Sequence, residues 1–214
     1  MRDARLILMS DRSAGTAATL DEAVDLTRTG DVWLFRGNTF ADRTIRTLTN
    51  APVNHVGMAV VIEDLPPLMW HAELGRSLPD RWTGKRHRGV QLHDLRDAVT
   101  VWNTRYGARA WFRQLVPEAT AAMEDAVLRT IARLDGAPFP STWKLTKSWA
   151  TGRFRYHRDT ETVYCAEVVA LTYQAMGLLP DHRPQNWYDP GKFWSGDRLE
   201  LQDGATLGRE IAVS

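Results

Sequence analysis

Cysteine is almost missing from this sequence: Cys165 is the only one among 214 residues, so no disulfide can form within the chain. A lone thiol fits a reducing compartment, and the expected localisation is cytoplasmic. Long hydrophobic runs are missing as well. The longest, Met58–Ile62 and Val168–Leu171, fall far short of the about 20 residues that a membrane helix needs. The short apolar patch Leu6–Met9 is followed by Asp11 and Arg12 and is too brief for a secretory signal, so none is expected. Charge of one sign is also lacking. Lys+Arg number 27 against 26 Asp+Glu, for a net charge of +1. No global field therefore draws in nucleic acid, and no nucleic-acid partner is expected. No repeat, low-complexity tract or Gly/Pro/Ser-rich linker divides the chain, which predicts one domain over residues 1–214.

Several catalytic signatures are missing in turn: no GxSxG elbow, no GxxxxGK[ST] loop, no GxGxxG after a strand and no HExxH. With one cysteine and six histidines that show no tight pairing, neither a metal nor an organic cofactor is expected.

Hydrophobic residues make up 43% of the chain, enough for a real core, and nine tryptophans are many for this length. Most of these indoles belong in packing; the functional reading is a groove for an apolar or acyl substrate. Thr19-Leu-Asp-Glu22 is a capping box that opens a helix ending at Gly30. Asp31–Arg36 alternates as a strand, Phe40–Leu48 has helical spacing, and Asn54–Ile62 and Leu68–Leu74 read as a hairpin around EDLPP. Residues Leu78–Gly89 form a polar, basic loop, and Gly89–Leu95 and Thr100–Tyr106 read as two more strands. A helix starts at Pro117 and carries Ala119, Met123, Val127, Ile131 and Leu134 before Gly136-Ala-Pro138 ends it. A further helix runs from about Cys165 to Met176, with Gly177 at its end, and Leu207–Val213 reads as a closing strand. The order predicts an α+β fold, an antiparallel sheet packed against helices.

Cys165 stands where its helix is expected to begin. Backbone N–H groups there would favour a thiolate and could receive an oxyanion. Most lone cysteines are inert core residues, so the thiol needs a base to carry meaning. His55 interrupts the apolar strand NHVGMAVVI, and Gly57 two residues on leaves room on the same face. On the next strand His71 and Glu73 share one face, and either could orient His55.

These residues resemble the permuted NlpC/papain-like cysteine hydrolases, the YiiX-like group. GDVWLF at Gly30–Phe35, NHVGM, and then YCAEVV far downstream stand in that family's permuted order, His before Cys, over roughly residues 30–177. The resemblance implies a circularly permuted papain-like (NlpC-type) fold with Cys165 as nucleophile, His55 as base, and His71 or else Glu73 as the orienting residue. It matches Glu167 to the acidic residue of the C-[SA]-E motif and brings Tyr164, Glu167 and Asp31 in as substrate-binding positions. The implied activity is a thioacyl-enzyme hydrolase: an amidase, peptidase or thioesterase acting on a small-molecule, peptide or lipid-linked amide substrate. An acyltransferase of the same fold is the alternative within that chemistry. A non-enzymatic binding module using the basic loop 76–88 (Arg76, Arg81, Lys85, Arg86, Arg88) is the alternative outside it.

Overall fold

The computed structural model describes residues 17–37, 52–73, 75–137, 160–197 and 199–214, without the side chains of 160–164 and 197. The expected helix Phe40–Leu48 lies outside the described residues. Helix α1 (Leu20–Leu26) opens with the expected capping box: the Thr19 hydroxyl accepts from Glu22 N–H, and the Glu22 carboxylate accepts from Thr19 N–H.

The strands are β1 (Ala17–Ala18), β2 (Val32–Arg36), β3 (His55–Val60), β4 (Leu68–Glu73), β5 (Gly89–Asp94), β6 (Arg109–Arg113), β7 (Leu115–Val116), β8 (Thr206–Leu207) and β9 (Ile211–Val213). Seven of them form one sheet in the order β1-β9-β6-β2-β3-β4-β5, antiparallel except for the β1–β9 pair. Strands β2 to β5 are a meander of sequence neighbours, and β6 returns to the far side of β2. The fold is therefore α+β with a large, mostly antiparallel sheet.

The chain segment expected as a strand over Thr100–Tyr106 is instead the second half of helix α2 (Leu95–Tyr106). Asp94 caps it by accepting from Asp97 N–H, and Gly107 closes it at φ +60°. Leu95, Ala98, Val99 and Trp102 are buried at helical spacing, a period that a window opening at Thr100 cuts in two. Helix α3 (Ala121–Leu134) starts four residues after Pro117, at the Thr120 cap. Helix α4 (Thr160–Ala175) starts earlier than expected and ends at Gly177, φ +77°, as the sequence predicts. In place of one closing strand, the tail makes short 3-10 turns and then β8 and β9.

Both faces of the sheet are covered, so its central strands carry no exposed side. On one face Val32, Leu34, Val56, Met58, Trp70 and Leu92 pack with Val127 and Ile131 of α3 and Val169 and Tyr173 of α4. Trp70 Nε1 donates to Thr172 Oγ1 at 3.0 Å and ties β4 to α4. On the other face Trp33, Phe35, Ala59 and Met69 pack under α1 and α2. Strand alternation thus sends neighbouring residues to different cores.

Arg113 fastens the tail to this sheet. Its guanidinium donates to the carbonyls of Gly208 (2.6 Å), Phe193 (2.5 Å) and Leu207 (2.8 Å) while only 6% exposed. Arg113→Met should strand those carbonyls and cost about 2–4 kcal/mol. A lower urea midpoint, with proteolytic cleavage within residues 193–210 before the strands of the sheet are cut, is the expected result.

Candidate functional site

The face beneath α2 carries the polar residues of three adjacent strands. His55 stands at the start of β3, His71 and Glu73 on β4, and Gln91 and His93 on β5. His55 Nε2 lies 3.2 Å from His71 Nδ1, and His71 Nε2 lies 3.0 Å from His93 Nδ1, so the three imidazoles form one row. His71 and His93 are fully buried, while His55 is 9% exposed and forms the more open end. Trp102 of α2 roofs the row, its ring edge-on to His55 at 4.5 Å and to His71 at 4.9 Å between centroids.

The open side of Gly57 is used differently from the sequence expectation. A Cβ there would strike the Met69 sulfur and lie 3.3 Å from His71 Cβ, so the glycine admits β4 side chains rather than leaving space beside His55. Of the two proposed orienting residues, His71 meets His55. Glu73 turns toward His93, its Oε2 3.9 Å from His93 Nδ1, and both its oxygens accept from the Ser77 hydroxyl, at 2.9 and 3.0 Å.

Burial holds all three rings neutral. Desolvation lowers the His55 pKa to about 3. It lowers that of His71 well below the usual imidazole value, with His93 and His55 adding to the effect. His93 falls to about 4, chiefly by desolvation; the Asp80 carboxylate and the Leu78 backbone pull the other way. No hydrogen bond of ordinary geometry reaches His93 Nε2 among the described residues, so we take the Leu78 influence as attraction at longer range.

The thiol is elsewhere. Cys165 is the sixth residue of α4 and fully buried in the core that contains Val56, Met58 and Trp70. His55 faces the other way, against Phe35 and Trp102. The sheet thus separates Cys165 from His55, a correction to the expected pair. Strand alternation is the cause: Val56 and Met58 point toward α4, so His55 and Gly57 cannot. The first-turn placement is corrected too, because a residue in the second helical turn donates its N–H back along the helix rather than to an oxyanion.

Asp31 is also corrected. It is fully buried, and its carboxylate accepts from Leu115 N–H at 2.8 Å and Arg28 N–H at 2.9 Å, shaping the approach to β2 rather than meeting substrate. Burial raises its pKa to about 7, against those backbone hydrogen bonds. Glu167 lies with Leu171 and Gln174 on the half-buried stripe of α4, and burial raises its pKa to about 7 as well. The Tyr164 side chain lies outside the described residues. In the basic loop, Arg76, Arg81, Lys85, Arg86 and Arg88 are exposed, and Arg86 donates to the Ser77 carbonyl. Asp80 anchors the loop from within, accepting from Leu92 N–H at 3.0 Å and from Thr83 N–H at 2.7 Å.

His93, Gln91 and Trp102 were not singled out from sequence. A signal for the first two was present: GVQLHD alternates polar and apolar with the same period as LMWHAE. Among the described residues no helix is long and apolar enough to cross a membrane.

No protein-family model matches the chain. No curated protein matches it either. Among solved structures it is similar to the metalloprotein YiiX of Escherichia coli O157:H7, with 15% sequence identity and a TM-score of 0.47 over 87% of this chain and 88% of that one.

A depressed imidazole pKa makes folding sensitive to acid. The unfolded chain takes up protons near the usual value of 6.5, whereas folded His55 does so only near 3. Its contribution is fully present above about pH 6.5 and is lost as pH falls toward 3. Between pH 7 and 5 the wild type should therefore lose about 1–2 kcal/mol more stability than His55→Gln. Urea unfolding of both proteins at the two pH values reads the difference directly.

Proposed function

We propose that this chain is a hydrolase of acyl compounds such as thioesters, amides or lipid-linked amides, working from the His55–His71 pair. The 3.2 Å contact between His55 Nε2 and His71 Nδ1 carries this reading. A ring held through one nitrogen presents the other in a set direction, as a general base requires. The motif order NHVGM, MWHAE, YCAEVV supports the same assignment, and the permuted papain-like architecture belongs to this reading.

The tautomers follow from the partners in the row. In this reading His71 Nε2–H donates to His93 Nδ1. His71 Nδ1 then accepts from His55 Nε2–H, and the lone pair of His55 sits on Nδ1. Its pKa of about 3 keeps His55 neutral until negative charge arrives. An oxyanion forming beside the ring favours the imidazolium and raises the pKa toward the working range. Water is the nucleophile in this reading, since Cys165 lies behind the sheet. It attacks the acyl carbon while His55 takes its proton, and His55 returns that proton to the leaving group.

A second reading, a thioacyl route for hydrolysis or acyl transfer through Cys165, is favoured by the motif order and requires Cys165 on the other face. Kinetics on ester, thioester and amide panels separate the two. His55→Ala should lower kcat/KM by about 100-fold or more, and Cys165→Ala should leave it within about threefold. Loss of activity in Cys165→Ala, with acyl-enzyme visible by intact mass, replaces the water by the thiol. Activity that survives His55→Ala removes the proposal.

A further inference from the structure

We infer that the β4–β5 face holds one divalent transition-metal ion, zinc by its ligand set, bound by His71 Nε2, His93 Nδ1 and the Glu73 carboxylate. This goes beyond the hydrolase reading and does not depend on it. Donor atoms of the three side chains all lie within 4.8 Å of one another. An ion at about 2.0–2.2 Å from each of them would set tetrahedral donors about 3.3–3.6 Å apart. The 3.0 Å between His71 Nε2 and His93 Nδ1 and the 3.9 Å between His93 Nδ1 and Glu73 Oε2 bracket that span.

The chemistry of the donors fits a cation. His71 and His93 bring two buried imidazole nitrogens, and Glu73 brings a carboxylate that is 4% exposed. Groups that orient such ligands are in place. The Ser77 hydroxyl donates to both Glu73 oxygens, and His55 Nε2 lies 3.2 Å from the second nitrogen of His71.

A second, independent sign comes from polar atoms on the same face. Gln91 is paired in register with His71, and both its side-chain Oε1 and Nε2 are buried without a hydrogen-bond partner among the described residues. Left so, the two Gln91 atoms are desolvated and unmet, at a cost that a bound ion and its water remove. Gln91, opposite His71 in register, would offer its amide to that water.

Occupancy also sets the state of His55. With the cation on His71 Nε2, the His71 proton moves to Nδ1 and is donated to His55 Nε2. The His55 proton then sits on Nδ1, so the outer nitrogen becomes a donor instead of an acceptor.

The test uses the full chain, stripped with chelator and titrated with Co(II), then with competing Zn(II). The expected result is one equivalent of Co(II) with tetrahedral visible absorption, displaced by Zn(II). Glu73→Gln should weaken Co(II) binding by about 100-fold, and Cys165→Ser should leave it unchanged. Nitrogen NMR of the wild type, which needs no variant to fold, should show the His71 and His93 rings shifting and the His55 proton moving to Nδ1 when Zn(II) is added. Folded wild type without stoichiometric Co(II) absorption overturns the site. So does binding that is lost in Cys165→Ser and kept in Glu73→Gln. A chain that binds one Co(II) but hydrolyses nothing even when stripped of metal leaves this site standing and removes the hydrolase reading instead.

Discussion

Three neutral imidazoles in contact, with one indole over two of them, are the constraint around which this sheet is arranged. Rings buried side by side cannot all be charged, and desolvation drives each pKa down, His55 to about 3 and His93 to about 4. Neutral rings can chain through alternate donors and acceptors, which is how His55, His71 and His93 are joined. The row then needs a cover that excludes water without competing for hydrogen bonds. Trp102 supplies it, and α2 must run from the end of β5 across this face to bring it there.

Covering both faces has a chemical consequence. A sheet open on one side could place a helix-borne thiol and a strand-borne histidine together. Here the helix that carries Cys165 is fastened to the Trp70 side, through the Trp70–Thr172 hydrogen bond and a shared apolar core. The polar row belongs to the α2 side. Two chemistries that the sequence joins, one thiol and one imidazole, are thereby held apart by the thickness of a sheet. On the imidazole side, His71, His93 and Glu73 form the donor set inferred for a cation, with His55 and Gln91 beside them.

Much of this was legible in the residues. Alternation in LMWHAE places His71 and Glu73 on one face, and the structure keeps them there. The capping box at Thr19 and the stop at Gly177 are local chemistry, and both read correctly. Helix α2 did not, because its second half, TVWNTRY, is rich in residues that also favour strands. The decisive signals, Asp94 as cap and the burial of Leu95 and Ala98, lie upstream of it. The length of α4 was likewise hidden, since TETVY before Cys165 carries no strong start signal.

What the sequence by itself determined are the properties set by neighbours along the chain. Period and capping chemistry made the α+β composition, the β3–β4 hairpin and the polar face of β4, and the single cysteine excludes a disulfide within the chain. What tertiary structure alone decided is which polar faces meet and which core receives each helix. His93 joins His71 because β5 pairs with β4 in a register that sets Gln91 opposite His71. Cys165 lies away from His55 because α4 packs on the Trp70 face. Period-2 alternation says that two residues share a side, but it does not say which helix covers that side. That choice depends on contacts between segments a hundred residues apart, such as Trp70 and Thr172, and no local pattern encodes them.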